Sequence, residues 1–193
     1  SWDNSLKFLA ETSENCELKD VGVVLEYHLP YSGYRIDALF FGVDQENNNA
    51  SSVIELKQWS TVELEDEYSC NVLVNGNERL HPSQQALDYA NHLLEIQSAY
   101  SDYDIEPYPC SFCHNLTRDS IEKLEDNRFS EILQKSPLYT IKNEPQFCNY
   151  FHTTVGNGSG IQLMHYFING RFKPNKKLLD VLDAVIREDE KWH

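Results

Sequence analysis

The stretch RIDALFFGVDQENNNASSVIELKQW, residues 35–59, carries two apolar segments joined by a polar turn. Each segment places an acidic residue, Asp37 or Glu55, among side chains typical of a buried strand, and Lys57 lies two positions after Glu55. Because side chains alternate along a strand, Glu55 and Lys57 share one face. If the two segments are neighbouring strands, Asp37 points to the same place. The stretch therefore predicts that two carboxylates and one ammonium group converge within a sheet.

The flanking sequence extends this sheet into a domain. An Asn75-Gly76 pair predicts a tight hairpin within 70–80, and helical spacing of apolar residues predicts a helix over 81–100 that is capped by Ser83. The other predicted elements are a helix within 1–20, strands over 21–29, 34–43, 53–59, 105–116 and 160–168, a polar turn over 44–52, short helices within 117–152 and an amphipathic helix over 175–192. We expect a single α/β domain spanning 1–193, with a central mixed β-sheet flanked by α-helices.

Bulk composition narrows the class of protein. The 193 residues are 40 % hydrophobic, and since the longest apolar runs are far shorter than about 18 residues, we expect no transmembrane helix. The formal net charge of −15 argues against a domain that holds nucleic acid through its overall field. The five cysteines are odd in number and irregular in spacing. This pattern predicts no disulfide framework and favours a reducing, cytoplasmic setting.

The two acids in the sheet indicate a metal site. Buried carboxylates repel each other and lose solvation, so they persist only with a cation or strong donors between them. Magnesium takes oxygen ligands from one or two carboxylates, a carbonyl and waters. We predict that Asp37, Glu55 and the backbone carbonyl of Leu56 hold Mg or Mn. Lys57 would then orient a water held by the ion or help to deprotonate it. Such an arrangement is suited to phosphodiester hydrolysis. The alternative is a structural pair, Asp37 with Arg35 or Glu55 with Lys57, at a sheet edge.

In this order, the residues resemble the PD-(D/E)xK nuclease superfamily. The matching elements are Asp37 in RIDALFF at the end of a hairpin, the Glu-x-Lys of IELK, and a helix with the Q-x-x-x-Y pattern of RecB-type members at Gln85 and Tyr89. The resemblance implies a restriction-endonuclease-like core in which Asp37 and Glu55 are metal ligands and Lys57 is the catalytic lysine. It gives Gln85 and Tyr89, one helical turn apart, auxiliary roles in touching substrate or supporting Lys57.

Other parts of the resemblance concern Glu26 and the context of the domain. Glu26 is a candidate for the additional acid that many members use, and the alternative, an exposed strand residue, stays open. The segments LEYHLP and FKPNKKLLDVLDAVIRED are similar to a subgroup in which the nuclease domain precedes a P-loop helicase/ATPase. The resemblance implies a Mg- or Mn-dependent nuclease acting on DNA, with RNA as the second choice, in DNA processing or anti-phage defence. The alternative is a catalytically inactive module of the same fold that binds nucleic acid or protein.

Two further sets of residues leave alternatives open. Some RecB-type nucleases carry an iron–sulfur cluster, and the C-x-x-C of residues 110–113 together with Cys16 and Cys148 would supply four ligands. A strand directs Cys110 and Cys113 to opposite faces, so ordinary buried cysteines are the favoured interpretation. Three tyrosines near the expected cleft either stack on bases of a single strand or, as we favour, pack within the hairpin; they are Tyr27, Tyr31 and Tyr34.

Overall fold

The computed structural model describes residues 2–30, 32–66 and 69–173. In chain order the elements are α1 (Trp2–Asn15), β1 (Gly22–His28), β2 (Arg35–Val43), β3 (Asn49–Lys57), β4 (Glu63–Leu64), β5 (Asn71–Val74), β6 (Asn77–Leu80), α2 (Pro82–Ile96), α3 (Ser98–Asp102), β7 (Glu106–Cys113), α4 (Arg118–Leu124), α5 (Ser130–Lys135), β8 (Leu138–Thr140), α6 (Glu144–Thr154) and α7 (Ile161–Ile168), with 3-10 turns at Asn127–Phe129 and Ile141–Asn143. The helix predicted over 175–192 lies outside the described residues.

Five strands form a central mixed sheet in the order β1-β2-β3-β7-β8. The pairs β1–β2 and β2–β3 are antiparallel, whereas β3–β7 and β7–β8 are parallel. Strands β4, β5 and β6 form a separate three-stranded sheet. The predicted α/β architecture with a mixed central sheet between helices is thereby confirmed.

Helices cover both faces of the central sheet. On one face α2, α3 and α7 build an apolar cluster with β2 and β3 that includes Leu39, Phe41, Val53, Leu93 and Phe167. On the other face α1 and α6 pack on alternate residues of the same strands in a cluster that includes Leu9, Phe40, Ile54, Phe112 and Phe151. A strand buried on both faces favours a nearly continuous apolar sequence, as β2 shows apart from Asp37, whereas β3 also carries buried serines in its first half. Asp37 and Glu55 are exceptions to that rule, and both are buried.

The strand predicted over 160–168 is wrong, because this segment forms helix α7. Its buried residues, Leu163 and Phe167, lie four positions apart, while Ile161 and Ile168 are exposed. This is the spacing of one helical face. The periodicity of a short apolar run does not separate a strand from a buried helix. Gly160 begins the helix directly against β2, where a Cβ would collide with the carbonyl oxygen of Phe41.

The two predicted turns have different outcomes. The hairpin within 70–80 is confirmed, with Asn75 and Gly76 at φ of 52° and 74°, the left-handed backbone of a tight hairpin turn. The polar turn predicted over 44–52 is too long, because β3 already begins at Asn49. Ser51 is buried within β3, and its hydroxyl shares a hydrogen bond of 2.8 Å with the hydroxyl of Tyr100. A buried hydrogen-bonded serine is compatible with a central strand although its sequence is polar.

The helix predicted over 81–100 is divided into α2 and α3 at Gln97, and its cap differs from the prediction. The capping side chain is that of His81, whose Nδ1 accepts a hydrogen bond from the backbone N–H of Ser83 at 3.1 Å. The Ser83 hydroxyl instead shares a hydrogen bond of 2.9 Å with the hydroxyl of Ser111 in β7. Ser83 therefore ties the start of α2 to the sheet.

The expectation that the cysteines form no disulfide is wrong. Cys16 and Cys148, 132 positions apart in the sequence, are joined by a disulfide that links the end of α1 to α6. Cys110 and Cys113 are buried and free, so the four cysteines do not form a common cluster. Within the described ranges, no helix is long and apolar enough to cross a membrane.

Candidate active site

The β2–β3 ladder brings Asp37 and Glu55 together at the point where it ends. The last paired residues are Ala38 and Ile54, and the same register places Asp37 opposite Glu55 one position further on. Here Oδ2 of Asp37 accepts a hydrogen bond of 2.8 Å from the backbone N–H of Leu56. A carboxylate therefore stands where a continuing ladder would supply a backbone carbonyl. The predicted convergence of the two acids on one face is present.

The backbone of Leu56 faces the same gap. In a hydrogen-bonded position of an antiparallel pair, the N–H and C=O of one residue point to the same neighbouring strand. If this geometry continues one position beyond the last ladder pair, the carbonyl of Leu56 faces the same side as its N–H, which bonds Asp37. Leu56 also lines the cavity that opens there. The role of this carbonyl as a third oxygen ligand stays a prediction.

Glu55 forms an ion pair with Lys57 through one oxygen only. The Nζ atom of Lys57 lies 2.6 Å from Oε1 of Glu55, and 19 % and 4 % of the two side chains are exposed. The other oxygen, Oε2, is buried and accepts no hydrogen bond from a donor group in the described part of the chain. The carboxyl groups of Glu55 and Asp37 nevertheless lie close enough to share a hydrogen bond when one of them is protonated, which raises the pKa of Glu55 and lowers that of Asp37. Buried carboxylate oxygens are normally paired, so this one calls for an explanation. A cation bound at Oε2 would provide the missing partner without displacing Lys57.

The electrostatics of the two acids agree with a missing positive charge. Burial raises the pKa of Glu55 to about 7, the ammonium of Lys57 opposes this, and the charge of Asp37 adds to it. Burial also raises the pKa of Asp37, although the N–H of Leu56 and the charges of Lys57 and Arg35 lower it in part. A site of this kind holds a proton near neutral pH unless a cation replaces it.

Helix α2 adds the predicted Gln85 and Tyr89 beside the two acids. Nε2 of Gln85 donates a hydrogen bond of 2.7 Å to the hydroxyl of Tyr89. Gln85 reaches the cavity that holds the acids, whereas Tyr89 lines a neighbouring cavity. Burial raises the pKa of Tyr89 to about 12, opposed by the bond from Gln85 and aided by the charges of Glu55 and Asp37. The hydroxyl therefore stays protonated, and its contact fixes the side chain of Gln85.

We call the space around the two acids the carboxylate cavity. Its volume is about 460 Å³, and it is lined by His28, Gly33, Arg35, Asp37, Glu55, Leu56, Lys57 and Gln85. Five of the seven predicted site residues line this cavity, and the two that do not are Tyr89 and Glu26. Sequence reasoning missed His28, the last residue of β1, and Gly33, which lies two positions before β2. Their position just before the strand that carries Asp37 was a signal that could have drawn attention to them.

Glu26 stands opposite Asp37 in the β1–β2 register but is not part of the cavity lining. It is the one position of the β1–β2 register that is skipped, between the pairs Leu25–Ala38 and Tyr27–Ile36. Its φ of 52° is rare for a residue other than glycine within a strand. Glu26 is half-buried and is not part of the lining. Among the described residues, Glu26 does not join Asp37 and Glu55 in a group of three side chains that could hold a metal ion, and its role as the additional acid stays a prediction.

Comparison with known proteins adds no relative. The chain matches no protein-family model, no curated protein and no solved structure. In the described part of the chain, no three or more His, Cys, Asp or Glu side chains are grouped so that they could hold a metal ion. The ligand set considered below is accordingly two carboxylates and one carbonyl. Its assignment rests on the geometry of this chain alone.

Proposed function

We propose that this chain is a nuclease domain with a restriction-endonuclease-like core, which hydrolyses phosphodiester bonds with the help of Mg or Mn. The observation that carries the proposal is the pairing of two buried carboxyl groups on neighbouring strands, in which Oε2 of Glu55 accepts no hydrogen bond from a donor group within the described residues. A hard divalent cation suits such oxygen donors. DNA is the favoured substrate and RNA the second choice, and we propose a P-loop ATPase/helicase domain as partner in the full-length protein. We also propose the cytoplasm as its place of action, although the disulfide between Cys16 and Cys148 removes the cysteine pattern as support for a reducing setting.

Each residue of the site has a defined task in this proposal. Asp37, Glu55 and the carbonyl of Leu56 would hold the ion, which when bound supplies positive charge to the phosphodiester oxygens and to the attacking water. The ion pair with Glu55 fixes the ammonium of Lys57 beside the cavity, where it can stabilise negative charge that develops during hydrolysis. Gln85, fixed by Tyr89, presents its amide at the cavity wall as a contact for substrate.

The second candidate is a catalytically inactive module of the same fold that binds nucleic acid or protein. Two observations favour it. The net charge of −15 opposes strong binding of a phosphate backbone, and the described residues supply two acidic ligands rather than three. Under this alternative the pair Glu55–Lys57 has only a structural role.

The decisive experiment measures cleavage and metal binding separately. The purified chain, freed of metal with EDTA, is incubated with DNA and RNA in Mg or Mn, and Mn binding is followed by electron paramagnetic resonance. We expect Asp37→Asn, Glu55→Gln and Lys57→Met each to reduce cleavage by about 100-fold or more. The two carboxamide variants should also lose Mn binding, whereas Lys57→Met should retain it.

Matched controls separate these effects from misfolding. Asp37→Asn keeps an oxygen that can accept the N–H of Leu56, and Glu95→Gln makes the same chemical change at an exposed position of α2. Thermal unfolding of every variant is followed by circular dichroism. Cleavage that survives all three site substitutions would refute the nuclease proposal. A wild-type chain that neither binds Mn nor cleaves would favour the inactive module.

A further inference from the structure

A second cavity, which we call the apolar cavity, adjoins the carboxylate cavity. Its volume is about 320 Å³, and it is lined by Leu29, Tyr34, Leu80, Gln85, Asp88, Tyr89 and His92. Gln85 lines both cavities. Two pairs of consecutive residues are also divided between them, His28 with Leu29 and Gly33 with Tyr34. The two cavities are therefore neighbours, and a ligand that fills the carboxylate cavity can extend into the apolar cavity.

The walls of the apolar cavity are suited to a flat aromatic ligand. Leu29 and Tyr89 are buried and form an apolar wall. The ring of Tyr34 is 59 % exposed, and its centroid lies 6.0 Å from that of Tyr89. Asp88 and His92 lie one turn apart on α2 and provide polar groups at the lining. This combination of aromatic faces with a few polar groups is typical of sites that hold an unpaired base.

The charge of the chain determines which part of a nucleic acid this surface can attract. With a net charge of −15, the chain gains little from phosphate contacts, which supply most of the affinity of duplex-binding proteins. Stacking on an aromatic ring does not require a basic surface. Asp88 in the lining further disfavours a phosphate there and is compatible with the amino groups of a base.

We propose that the apolar cavity binds an unpaired nucleobase adjacent to the scissile phosphodiester, with Tyr34 as the stacking residue. The substrate class is then single-stranded or locally unpaired nucleic acid. This inference rests on the proposed nuclease function. Gln85 is the positioning residue between base and phosphate, because its side chain is held by Tyr89 and reaches both cavities.

Fluorescence anisotropy with a labelled 12-nucleotide DNA tests the inference in Ca²⁺, and cleavage of the same DNA is measured in Mg or Mn. We expect the single strand to bind more tightly than the duplex and than an abasic strand of equal length. Tyr34→Ala should weaken binding of the single strand about tenfold or more, and Tyr34→Phe should restore it because the ring remains. Leu80→Trp, which narrows the cavity from β6, should weaken binding as well.

Tyr103→Ala is the matched control. Tyr103 is 38 % exposed, stacks on Tyr166 and lies outside both cavities, so its loss should leave binding unchanged. The base site is refuted if Tyr34→Ala binds the single strand as tightly as Tyr103→Ala does, or if the duplex binds at least as tightly as the single strand. In either case, cleavage by the wild type would still support the nuclease proposal. If binding depends on Tyr34 but no cleavage occurs, the base site stands and the nuclease proposal fails. Absence of both binding and cleavage refutes both.

Discussion

Replacing Glu55 with glutamine should stabilise the fold while it removes a ligand of the proposed metal site. Glutamine has nearly the same size as glutamate, and its side-chain oxygen can accept a hydrogen bond from the ammonium group of Lys57. The substitution removes the ionisable group whose Oε2 is buried and accepts no hydrogen bond from a donor group within the described residues. The substitution therefore tests whether this carboxylate is retained at a cost to the stability of the protein.

The magnitude follows from the pKa of Glu55, which burial raises from 4.5 to about 7. A carboxyl whose pKa is raised by folding contributes stability below its unfolded pKa and loses that contribution as the pH rises through the folded pKa. Ionisation of Glu55 should thus cost the folded state roughly 1 kcal/mol at about pH 5 and roughly 3 kcal/mol at about pH 8. The variant escapes this cost, so its advantage over the wild type should grow by roughly 2 kcal/mol between the two pH values.

Urea unfolding in EDTA at the two pH values measures this difference. Glu95→Gln makes the same chemical change at an exposed position, so it should change the free energy of unfolding only slightly and by the same amount at both pH values. Addition of Mn should stabilise the wild type at the higher pH and leave Glu55→Gln unaffected, because only the wild type binds the ion. The reasoning is refuted if the difference in free energy of unfolding between Glu55→Gln and the wild type stays constant or decreases toward high pH, because burial of the carboxylate would then not destabilise the fold.

Three further predictions concern the scaffold. Asp44 is buried, and burial alone would raise its pKa, but hydrogen bonds led by the N–H of Asn48 lower the pKa overall. The stabilisation that its carboxylate provides is therefore lost only as the pH falls below about 4. In urea titrations at neutral pH, Asp44→Ala should lower the free energy of unfolding by about 1–3 kcal/mol. Cys16→Ser opens a disulfide between residues 132 apart and should cost up to about 5 kcal/mol under oxidising conditions, an effect that dithiothreitol should abolish. Phe167→Ala should cost about 3–5 kcal/mol and exposed Ile168→Ala much less, whereas a similar loss at both positions would contradict helix α7.

The central sheet and the grouping of the two acids could be predicted because strand alternation is a local rule. Asp37 and Glu55 needed only two neighbouring strands in register to meet, and the apolar segments around them specified those strands. Helix α7 could not be distinguished, because a run of nine mostly apolar residues fits a strand and a buried helical face equally well. The sequence holds no local signal for this choice, which depends on the packing of Phe167 under β2.

Contacts between distant parts of the chain were beyond local rules. The disulfide pairs two cysteines 132 positions apart, and nothing in their spacing identifies them as partners. The same limit applies to the apolar cavity, since its lining combines residues between β1 and β2 with Leu80 of β6 and with residues of α2. The position of Glu26 also depends on a backbone conformation, its φ of 52°, that strand alternation does not anticipate.

The arrangement of the acids argues against a purely structural role. A structural ion pair at a sheet edge is exposed, contributes about 0–1 kcal/mol and satisfies its oxygens with water. Here both carboxylates are buried, Asp37 stands where the β2–β3 ladder ends, and within the described residues Oε2 of Glu55 accepts no hydrogen bond from a donor group. A cost of roughly 3 kcal/mol is a large part of the 5–15 kcal/mol by which a typical domain is stable. Apolar residues at positions 37 and 55 would avoid that cost, so the two acids are best understood as a site whose function requires them to be together.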